Sequence, residues 1–279
     1  MSYLNKIEAL NSYNKEDKIA LIVDGKRLGQ IKKEYLPLCI KSAFNYKKGV
    51  LEFKECFSDF NSRSYALDML ANLLLEQNIL PKLKREKYAL STSLNAKPYA
   101  LLDRSISTFL GVLSYAQHLN GIVRKSDGLY MWIGTRAKDK GYCNGMLDHL
   151  VGGGLPYGID LYENLAKECY EEAGISKELA RRAKAVGIVS YWHEYELGGK
   201  EDIIFCYDLE LPKSFVPQCT DGEVEKFELM PIKEVANIVK NQWAFKPNCE
   251  LVIIDFLLRW GYIDHTNKDY IDIARGLRR

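Results

Sequence analysis

The sequence predicts an α+β protein of two units, a small α+β domain over residues 1–105 and a larger domain over residues 106–279. Two observations predict this division. Before about residue 105, short strand patterns surround one long amphipathic helix, whereas the later sequence is richer in strands. In that later part, strands, a helix, further strands and further helices follow one another. This order fits a mixed sheet packed between helices, an α/β/α sandwich.

The first unit is expected to contain two helices and three short strands. Residues 4–10 are predicted to form a helix, and residues 19–34 two strands around an Asp24-Gly25 turn. Residues 50–55 are a further strand pattern. The segment 62–78, SRSYALDMLANLLLEQN, is predicted to be an amphipathic helix that begins near Ser62 or Ser64.

The second unit is expected to begin with paired strands and to end with helices. Residues 110–125 and 129–137 alternate in strand fashion around Ser126-Asp127-Gly128, and residues 185–211 predict a hairpin that turns at Gly198-Gly199. Residues 231–239 and 247–260 have helical patterns. For the polar residues 265–279, a short docked helix and a frayed tail are both left open.

A glycine-rich loop and a glutamate-rich helix lie between these strands, in residues 152–175, GGGLPYGIDLYENLAKECYEEAGI. Positions i, i+3 and i+4 share one face of a helix, so the carboxylates of Glu168, Glu171 and Glu172 converge. They repel one another, and two lie in the last turn, where the helix dipole disfavours negative charge. A bound cation is therefore predicted, and oxygen ligands of this kind suit Mg²⁺ or Mn²⁺.

The ends of this helix distinguish it from an ordinary solvated surface helix. Asp160 and Glu163 form a D-x-x-E capping pattern, and Gly174 occupies the place of a left-handed residue that ends a helix. An apolar stripe at helical spacing adjoins the glutamates: Tyr162, Leu165, Ala166, Cys169 and Ala173. The pattern predicts a helix that packs on a core and presents carboxylates along its edge.

This segment resembles the Nudix box, G-x5-E-x7-R-E-U-x-E-E-x-G-U, in which U is a bulky apolar residue. The opening glycine is Gly153, the core is Lys167-Glu168-Cys169-Tyr170-Glu171-Glu172, and the closing pair is Gly174-Ile175. Two positions differ, because Ile159 replaces the upstream glutamate and Lys167 replaces the arginine. In the family those two residues mainly pair with each other. Here Glu163 and Lys167 offer a substitute i,i+4 pair.

The resemblance implies a diphosphate hydrolase of the Nudix α/β/α fold, with roles for the carboxylates. Glu171 and Glu172 are expected to ligate the metal, and Glu168 to be a third ligand or the base that orients water. A carbonyl of the glycine loop, taken as that of Gly153, completes the metal site. A carboxylate outside the helix often acts as ligand or base in the family. Glu223 and Glu225 are the candidates, with Glu225 preferred and plain surface charge as the alternative.

The surrounding sequence is similar to one branch of the Nudix family. The similarity is carried by residues 134–158, 215–235 and 245–263. Members of this branch have an N-terminal domain of unknown function and include the Nudix half of fungal thiamine pyrophosphokinase fusions. The resemblance implies hydrolysis of damaged thiamine diphosphates, such as oxo- and oxy-thiamine diphosphate, to the monophosphate and phosphate.

Residues that bind such a substrate are expected near the loop and on the later strands. Arg136 is a candidate phosphate ligand. Trp132, Tyr191 and His193 are candidates to stack on the heterocycle, with core packing as the alternative for each. Strand alternation places Trp192 on the opposite face from Tyr191 and His193.

Composition narrows the possible partners and location. Forty-seven per cent hydrophobic residues are typical of a globular protein, and a net charge of +2 argues against an extended surface for nucleic acid or a membrane. The partner that the resemblance implies is a small-molecule diphosphate substrate. The seven scattered cysteines indicate reduced thiols of a cytoplasmic protein, with neither disulfides nor a zinc site, and the four histidines form no sequence cluster. Homodimerisation is left open.

Two other functions remain open at this stage. The box does not determine the group beyond the diphosphate, so ADP-ribose, NADH or an oxidised nucleotide are alternative substrates. A binding or regulatory module that has lost catalysis is the second alternative; the three glutamates argue against it, and Ile159 argues weakly for it. The N-terminal unit is expected to shape the pocket, to mediate dimerisation or to cap the fold.

Overall fold

The computed structural model describes residues 1–138 and 143–279. The N-terminal part contains a four-stranded sheet in the order β2-β1-β4-β3 and a separate β5-β6 hairpin. Its helices and strands are α1 (Tyr3–Leu10), β1 (Lys18–Val23), β2 (Lys26–Lys32), α2 (Leu36–Lys41), β3 (Phe44–Lys47), β4 (Val50–Phe53), α3 (Phe60–Glu76), β5 (Lys87–Leu90) and β6 (Ala100–Asp103).

Local turn and cap chemistry explains the boundaries of these elements. Asp24 and Gly25 both adopt positive φ, as the predicted turn between β1 and β2 requires. Helix α3 begins earlier than predicted, because Asp59 rather than Ser62 or Ser64 is its N-cap residue. The Asp59 carboxylate accepts hydrogen bonds from the backbone N–H groups of Asn61 and Ser62. The Ser62 hydroxyl in turn accepts from the Asp59 N–H.

The C-terminal part is built on a seven-stranded mixed sheet. Its elements are β7 (Ser114–Lys125), β8 (Gly128–Arg136), β9 (Leu147–Asp148), β10 (Val151–Gly154), α4 (Leu161–Ala173), α5 (Lys177–Ala180), β11 (Lys184–Tyr195), β12 (Gly198–Glu210), β13 (Val224–Pro231), α6 (Ile232–Asn241), α7 (Pro247–Arg259) and α8 (Tyr270–Gly276).

Strand β7 is the centre of this sheet. On one side it pairs in parallel with β12. On the other side its first half pairs with the glycine-rich strand β10, and its second half pairs with β8. The loop of glycines predicted from the sequence is therefore a strand, and it is held against the middle of the sheet.

Helices cover both faces of the sheet, which confirms the predicted sandwich. On one face α4 and α5 pack through Leu165, Cys169 and Ala180. On the other face the core is formed with α6, α7 and α8. Residues 270–276 form a docked helix, with Ile273 and Leu277 buried, which decides between the two alternatives left open for the C-terminal segment.

Helix α1 lies against the C-terminal part and not in the N-terminal core. Its buried residues Tyr3, Ile7 and Leu10 belong to the same hydrophobic cluster as α7 and α8. A division at residue 105 therefore does not describe the packing of this helix, because its apolar face is buried by residues more than 200 positions away in the sequence.

The hairpin of β11 and β12 turns two residues earlier than predicted. Glu196 and Leu197 connect the strands, and Gly198 and Gly199 are the first residues of β12. Both glycines lie at close contacts with the N-terminal part, since a Cβ at Gly198 would lie 2.7 Å from the Thr108 carbonyl oxygen.

Within residues 1–138 and 143–279, no helix has the length and apolar character needed to cross a bilayer.

Candidate active site

The glutamate helix α4 begins and ends where the sequence predicts. The Asp160 carboxylate accepts hydrogen bonds from the Tyr162 and Glu163 N–H groups, and Gly174 is left-handed with φ 66°. Two details differ. Glu163 makes no return bond to Asp160, so only half of the capping box forms. Tyr162 is exposed, because the buried stripe of the helix is formed by Leu165, Cys169 and Ala173.

The three box carboxylates differ in their exposure. Glu172 is buried at 8% exposure and accepts a hydrogen bond from the Gly152 N–H at 2.8 Å. The Glu168 side chain is 14% exposed and lies over Gly153, while that of Glu171 is 38% exposed at the helix surface. The predicted edge of carboxylates therefore runs from the sheet outwards to solvent.

A lysine ammonium group lies between two of these carboxylates. Lys167 Nζ is 3.3 Å from Glu168 Oε1 and 3.2 Å from Glu171 Oε2. The expected pair of Glu163 and Lys167 does not form, because the lysine side chain turns towards the more acidic edge. A positive charge is thus attracted to the place where the sequence predicts a cation.

Burial disfavours the charged form of two of these carboxylates, Glu168 and Glu172. Burial, with a smaller contribution from Asp148, raises the pKa of Glu172 to about 8. Burial also raises the pKa of Glu168, against the opposing effect of Lys167. A nearby divalent cation would favour the ionised form of both groups.

Different side chains approach each of the three strand glycines closely. A Cβ at Gly152 would lie 3.0 Å from the His118 ring, and one at Gly153 would lie 2.6 Å from Glu168 Oε2. At Gly154 a Cβ would overlap the Tyr88 hydroxyl and lie 3.1 Å from Arg104 Cζ. Consecutive residues of the strand thus contact a buried ring, a box carboxylate and two side chains of the N-terminal part.

The residues of this edge fit a divalent metal such as Mg²⁺ or Mn²⁺. Carboxylates are the ligands that these ions prefer, and a side chain at position 153 would fill the space that Glu168 occupies. Lys167 already balances part of the charge of Glu168 and Glu171. Glu168, Glu171 and Glu172 would hold the metal, with the Gly153 carbonyl as a further oxygen.

A cavity of about 380 Å³ opens on the other side of the glycine strand, between the N-terminal and C-terminal parts. We call it the interdomain cavity. Four cationic side chains line it: Lys84, Arg104, Lys200 and Lys246. Tyr88, Tyr115, Tyr191 and Tyr195 also line it, together with His118, Asp202 and Gly152–Gly154. Positive charge and aromatic surface are therefore present next to the carboxylate edge.

Of the aromatic residues predicted to bind substrate, only Tyr191 lies in this cavity. Trp132 belongs to the hydrophobic cluster beneath α4 and does not line the interdomain cavity, so its stacking role stays a prediction. His193 packs edge-on against Tyr195 and lies 3.1 Å from the Ser12 hydroxyl, and it does not line the cavity either. Tyr88 and Tyr115 were not predicted, because the cavity forms only when the two parts of the chain meet.

The predicted phosphate ligand Arg136 lies outside the cavity lining, where its guanidinium donates to Asp148 Oδ2 at 2.8 Å. Glu223 lies beside it, since the Glu223 carbonyl accepts from the Ala137 N–H at 3.0 Å. Glu225 is exposed at a bulge in β13, and no hydrogen bond or ion pair joins it to another described residue. No contact among the described residues joins Glu225 to the box carboxylates, so its catalytic role stays a prediction.

A buried cluster that the sequence did not predict lies behind the glycine strand. His118, Asp148, His149 and Cys249 come from three separate elements, and one possible ligand atom of each lies within 4.8 Å of the others. The Cys249 thiol donates to Asp148 at 2.7 Å, and the two histidine Nδ1 atoms are 2.8 Å apart. Lys246 and Arg136 also contact Asp148, so the cluster already contains its own cations.

The charges of this cluster follow from its burial. Burial lowers the pKa of His149 to about 4 and raises the pKa of the Cys249 thiol. For Asp148, burial would raise the pKa, but Lys246 and His118 lower it overall. The His118 ring of this cluster packs against Gly152 and so supports the glycine strand from behind.

Comparison with known proteins identifies both parts of the chain. Residues 119–249 match the model of the NUDIX domain, and residues 2–114 match that of a domain of unknown function, DUF4743. The matched regions meet between Ser114 and Leu119, at the start of β7.

Similar proteins come from a plant and from yeast. Nudix hydrolase 20, chloroplastic, of Arabidopsis thaliana is 45% identical over 216 residues, which cover 77% of this chain and 58% of the plant protein. Nudix hydrolase 24, chloroplastic, of the same plant is 46% identical over 216 residues, covering 77% and 59%. The chain thus spans somewhat more than half the length of these two relatives.

An uncharacterized protein of Saccharomyces cerevisiae is 36% identical over 247 residues, covering 82% of this chain and 71% of the yeast protein. The box residues, the sandwich fold and these matches agree. The chain belongs to the Nudix hydrolase family, in the group that carries an N-terminal DUF4743 domain.

Proposed function

We propose that this chain hydrolyses a diphosphate by metal-assisted attack of water, and that the substrate is a damaged thiamine diphosphate. One observation carries the proposal. The acidic edge of α4 and the basic interdomain cavity meet at the same glycine strand. A diphosphate needs both, since divalent metal is held by carboxylates and phosphate oxygens are neutralised by cations.

The residues of the acidic edge hold the metal and the attacking water. Glu171 and Glu172 would ligate the metal, and Glu168, which lies directly over Gly153, would either complete the ligand set or accept a proton from water. When bound, a divalent metal neutralises phosphate oxygens and lowers the pKa of water. A metal held by these carboxylates would compete with the Lys167 ammonium, which lies 3.3 Å from Glu168 and 3.2 Å from Glu171.

The residues of the cavity hold the remainder of the substrate. Lys200 and Lys246 supply positive charge from the Nudix domain, and Tyr115 and Tyr191 supply ring surface for a heterocycle. The assignment to thiamine rests on the similarity of residues 134–158, 215–235 and 245–263 to the thiamine-linked branch of the family. The tyrosine-lined cavity supports an aromatic substrate without distinguishing among heterocycles.

The substrate assignment predicts a ranking in a hydrolysis assay. With Mg²⁺, oxo- and oxy-thiamine diphosphate are expected to be hydrolysed with a kcat/KM at least about tenfold above those for ADP-ribose, NADH and 8-oxo-dGTP, a difference of roughly 1.4 kcal/mol. Phosphate release is measured for each compound, with EDTA as the control for metal dependence. A preference of more than about tenfold for a nucleotide would overturn the assignment to thiamine.

The same assay decides between catalysis and binding alone. A binding or regulatory module with the Nudix fold would release no phosphate from any of these compounds in Mg²⁺. Turnover with 8-oxo-dGTP or ADP-ribose alone would keep the hydrolase and replace the substrate. A cytoplasmic location and a homodimer remain proposals, checked by fractionation and by light scattering of the purified chain.

A further inference from the structure

We propose that the N-terminal domain forms one wall of the substrate site, in which Lys84 and Arg104 bind the anionic diphosphate. This inference rests on the proposed function, because it adds a binding surface to the same site. It assigns a role to a domain that the family match describes only as of unknown function.

The N-terminal domain contacts the glycine strand directly. The Tyr88 hydroxyl and the Arg104 guanidinium occupy the space that a side chain at Gly154 would need. The neighbouring residue Gly153 is in contact with the Glu168 carboxylate. The contact with Arg104 and the contact with a box glutamate are therefore made by adjacent residues of one extended strand, on its two faces.

Contacts at two places fix the position of this wall. Near the glycine strand, the Tyr157 N–H donates to the Lys87 carbonyl at 2.7 Å. At the β11-β12 hairpin, Gln30 Nε2 donates to the Gly199 carbonyl at 3.0 Å, and Lys18 Nζ lies 2.7 Å from Glu194 Oε1. Because Gln30 and the Lys18 side chain are buried, the two domains are held in one arrangement before substrate binds.

The charges of the cavity favour an anion. Arg104 pairs with Glu86 at 2.8 Å, and its side chain is 39% exposed. On the opposite wall, Lys200 pairs with Asp202 at 3.0 Å, and Lys246 lies 3.6 Å from Asp148. Lys84 is exposed and forms no ion pair with the described residues. The two walls together carry more positive than negative charge, and a guanidinium binds two phosphate oxygens at once.

A structural role alone would also explain part of this arrangement, since the pair of Arg104 and Glu86 lies within the N-terminal domain. Lys84 separates the two explanations. It contributes an exposed ammonium to the cavity without packing in the core, so its removal should change anion binding and leave the fold unchanged. Lys82 is a matched control, because it is exposed in the same segment and does not line the cavity.

The test is the binding of methylenediphosphonate, a diphosphate that cannot be hydrolysed, to the full chain in Mg²⁺, measured by calorimetry. Lys84→Met and Arg104→Met are each expected to raise the Kd about tenfold, whereas Lys82→Met stays within about twofold of wild type. Thermal unfolding of the Lys84→Met protein should match that of wild type. Wild-type Kd values in both cavity variants, or no binding by the wild-type protein at millimolar diphosphonate, would overturn the inference.

Hydrolysis separates this inference from the proposed function. With the preferred substrate, Lys84→Met is expected to raise KM about tenfold and to change kcat little, because the lost contact binds the ground state and the transition state alike. If the wild-type chain hydrolyses none of the compounds but diphosphonate binding still weakens in the two variants, the proposed function fails and the binding wall stands. If hydrolysis proceeds with wild-type KM in both variants, the binding wall is wrong and the hydrolase stands.

Discussion

Glu172→Gln and Glu171→Gln are each expected to lower metal-dependent hydrolysis by about 10²–10³-fold. A glutamine amide keeps the size of the side chain but loses the negative charge that holds a divalent metal. At position 172 its carbonyl oxygen can still accept the hydrogen bond of the Gly152 N–H, so the glycine strand should stay in place. The loss is therefore a loss of metal binding and not of structure.

Glu163→Gln is the matched control for these two changes. Glu163 is exposed on the same helix and lies in its first turn, away from the carboxylate edge. Phosphate release is measured over a series of Mg²⁺ concentrations, and circular dichroism checks the fold. The Glu163→Gln protein should keep wild-type turnover. Wild-type turnover in both the Glu171→Gln and Glu172→Gln proteins would mean that the box glutamates do not hold the metal.

Helix α4 shows what local sequence rules can predict. Its N-cap at Asp160, its end at Gly174 and its buried stripe depend on residues within a few positions of one another. The convergence of the three carboxylates follows from helical geometry alone. These features were therefore predictable from the sequence, as were the hairpin turn at Asp24-Gly25 and the order of strands and helices.

The features that the sequence did not predict depend on distant contacts. Lys167 has acidic neighbours in both directions, and only the folded helix shows that it pairs with Glu168 and Glu171. Trp132 has the pattern of a strand residue on either face of the sheet, and only the fold shows that it lies on the face that α4 covers. The cluster of His118 and Cys249 joins residues 131 positions apart, which no spacing rule relates.

The three glycines combine local and distant causes. A run of glycines indicated a loop, but none of the three has a positive φ, and the run forms a strand. The reason for glycine is the close approach of the His118 ring, the Glu168 carboxylate and the side chains of the N-terminal domain. A glycine run followed by an acidic helix could have suggested such contacts, although not which residues would make them.

Lys6→Met is expected to lower the free energy of unfolding by about 3–5 kcal/mol. Lys6 Nζ lies 2.9 Å from Glu250 Oε1, with the two side chains 0% and 1% exposed. The ammonium group also donates to the Gln242 carbonyl and lies 3.4 Å above the Trp243 ring. Without Lys6, the Glu250 carboxylate would be buried with no opposite charge, and α1 would lose its polar anchor on α7.

A double variant distinguishes the buried charge from the loss of packing. Because replacing a whole buried pair by apolar residues costs far less than removing one partner, Lys6→Met with Glu250→Leu should recover most of the stability lost in Lys6→Met.

Urea unfolding gives the free energies of unfolding. The control is Lys15→Met, since Lys15 is an exposed lysine that follows α1, and this change should alter the stability by less than about 0.5 kcal/mol. An unchanged stability in the Lys6→Met protein would show that α1 is not held to the Nudix domain by this pair. A large loss would instead show that the first ten residues, although they precede the N-terminal sheet in the sequence, stabilise the fold of the C-terminal domain.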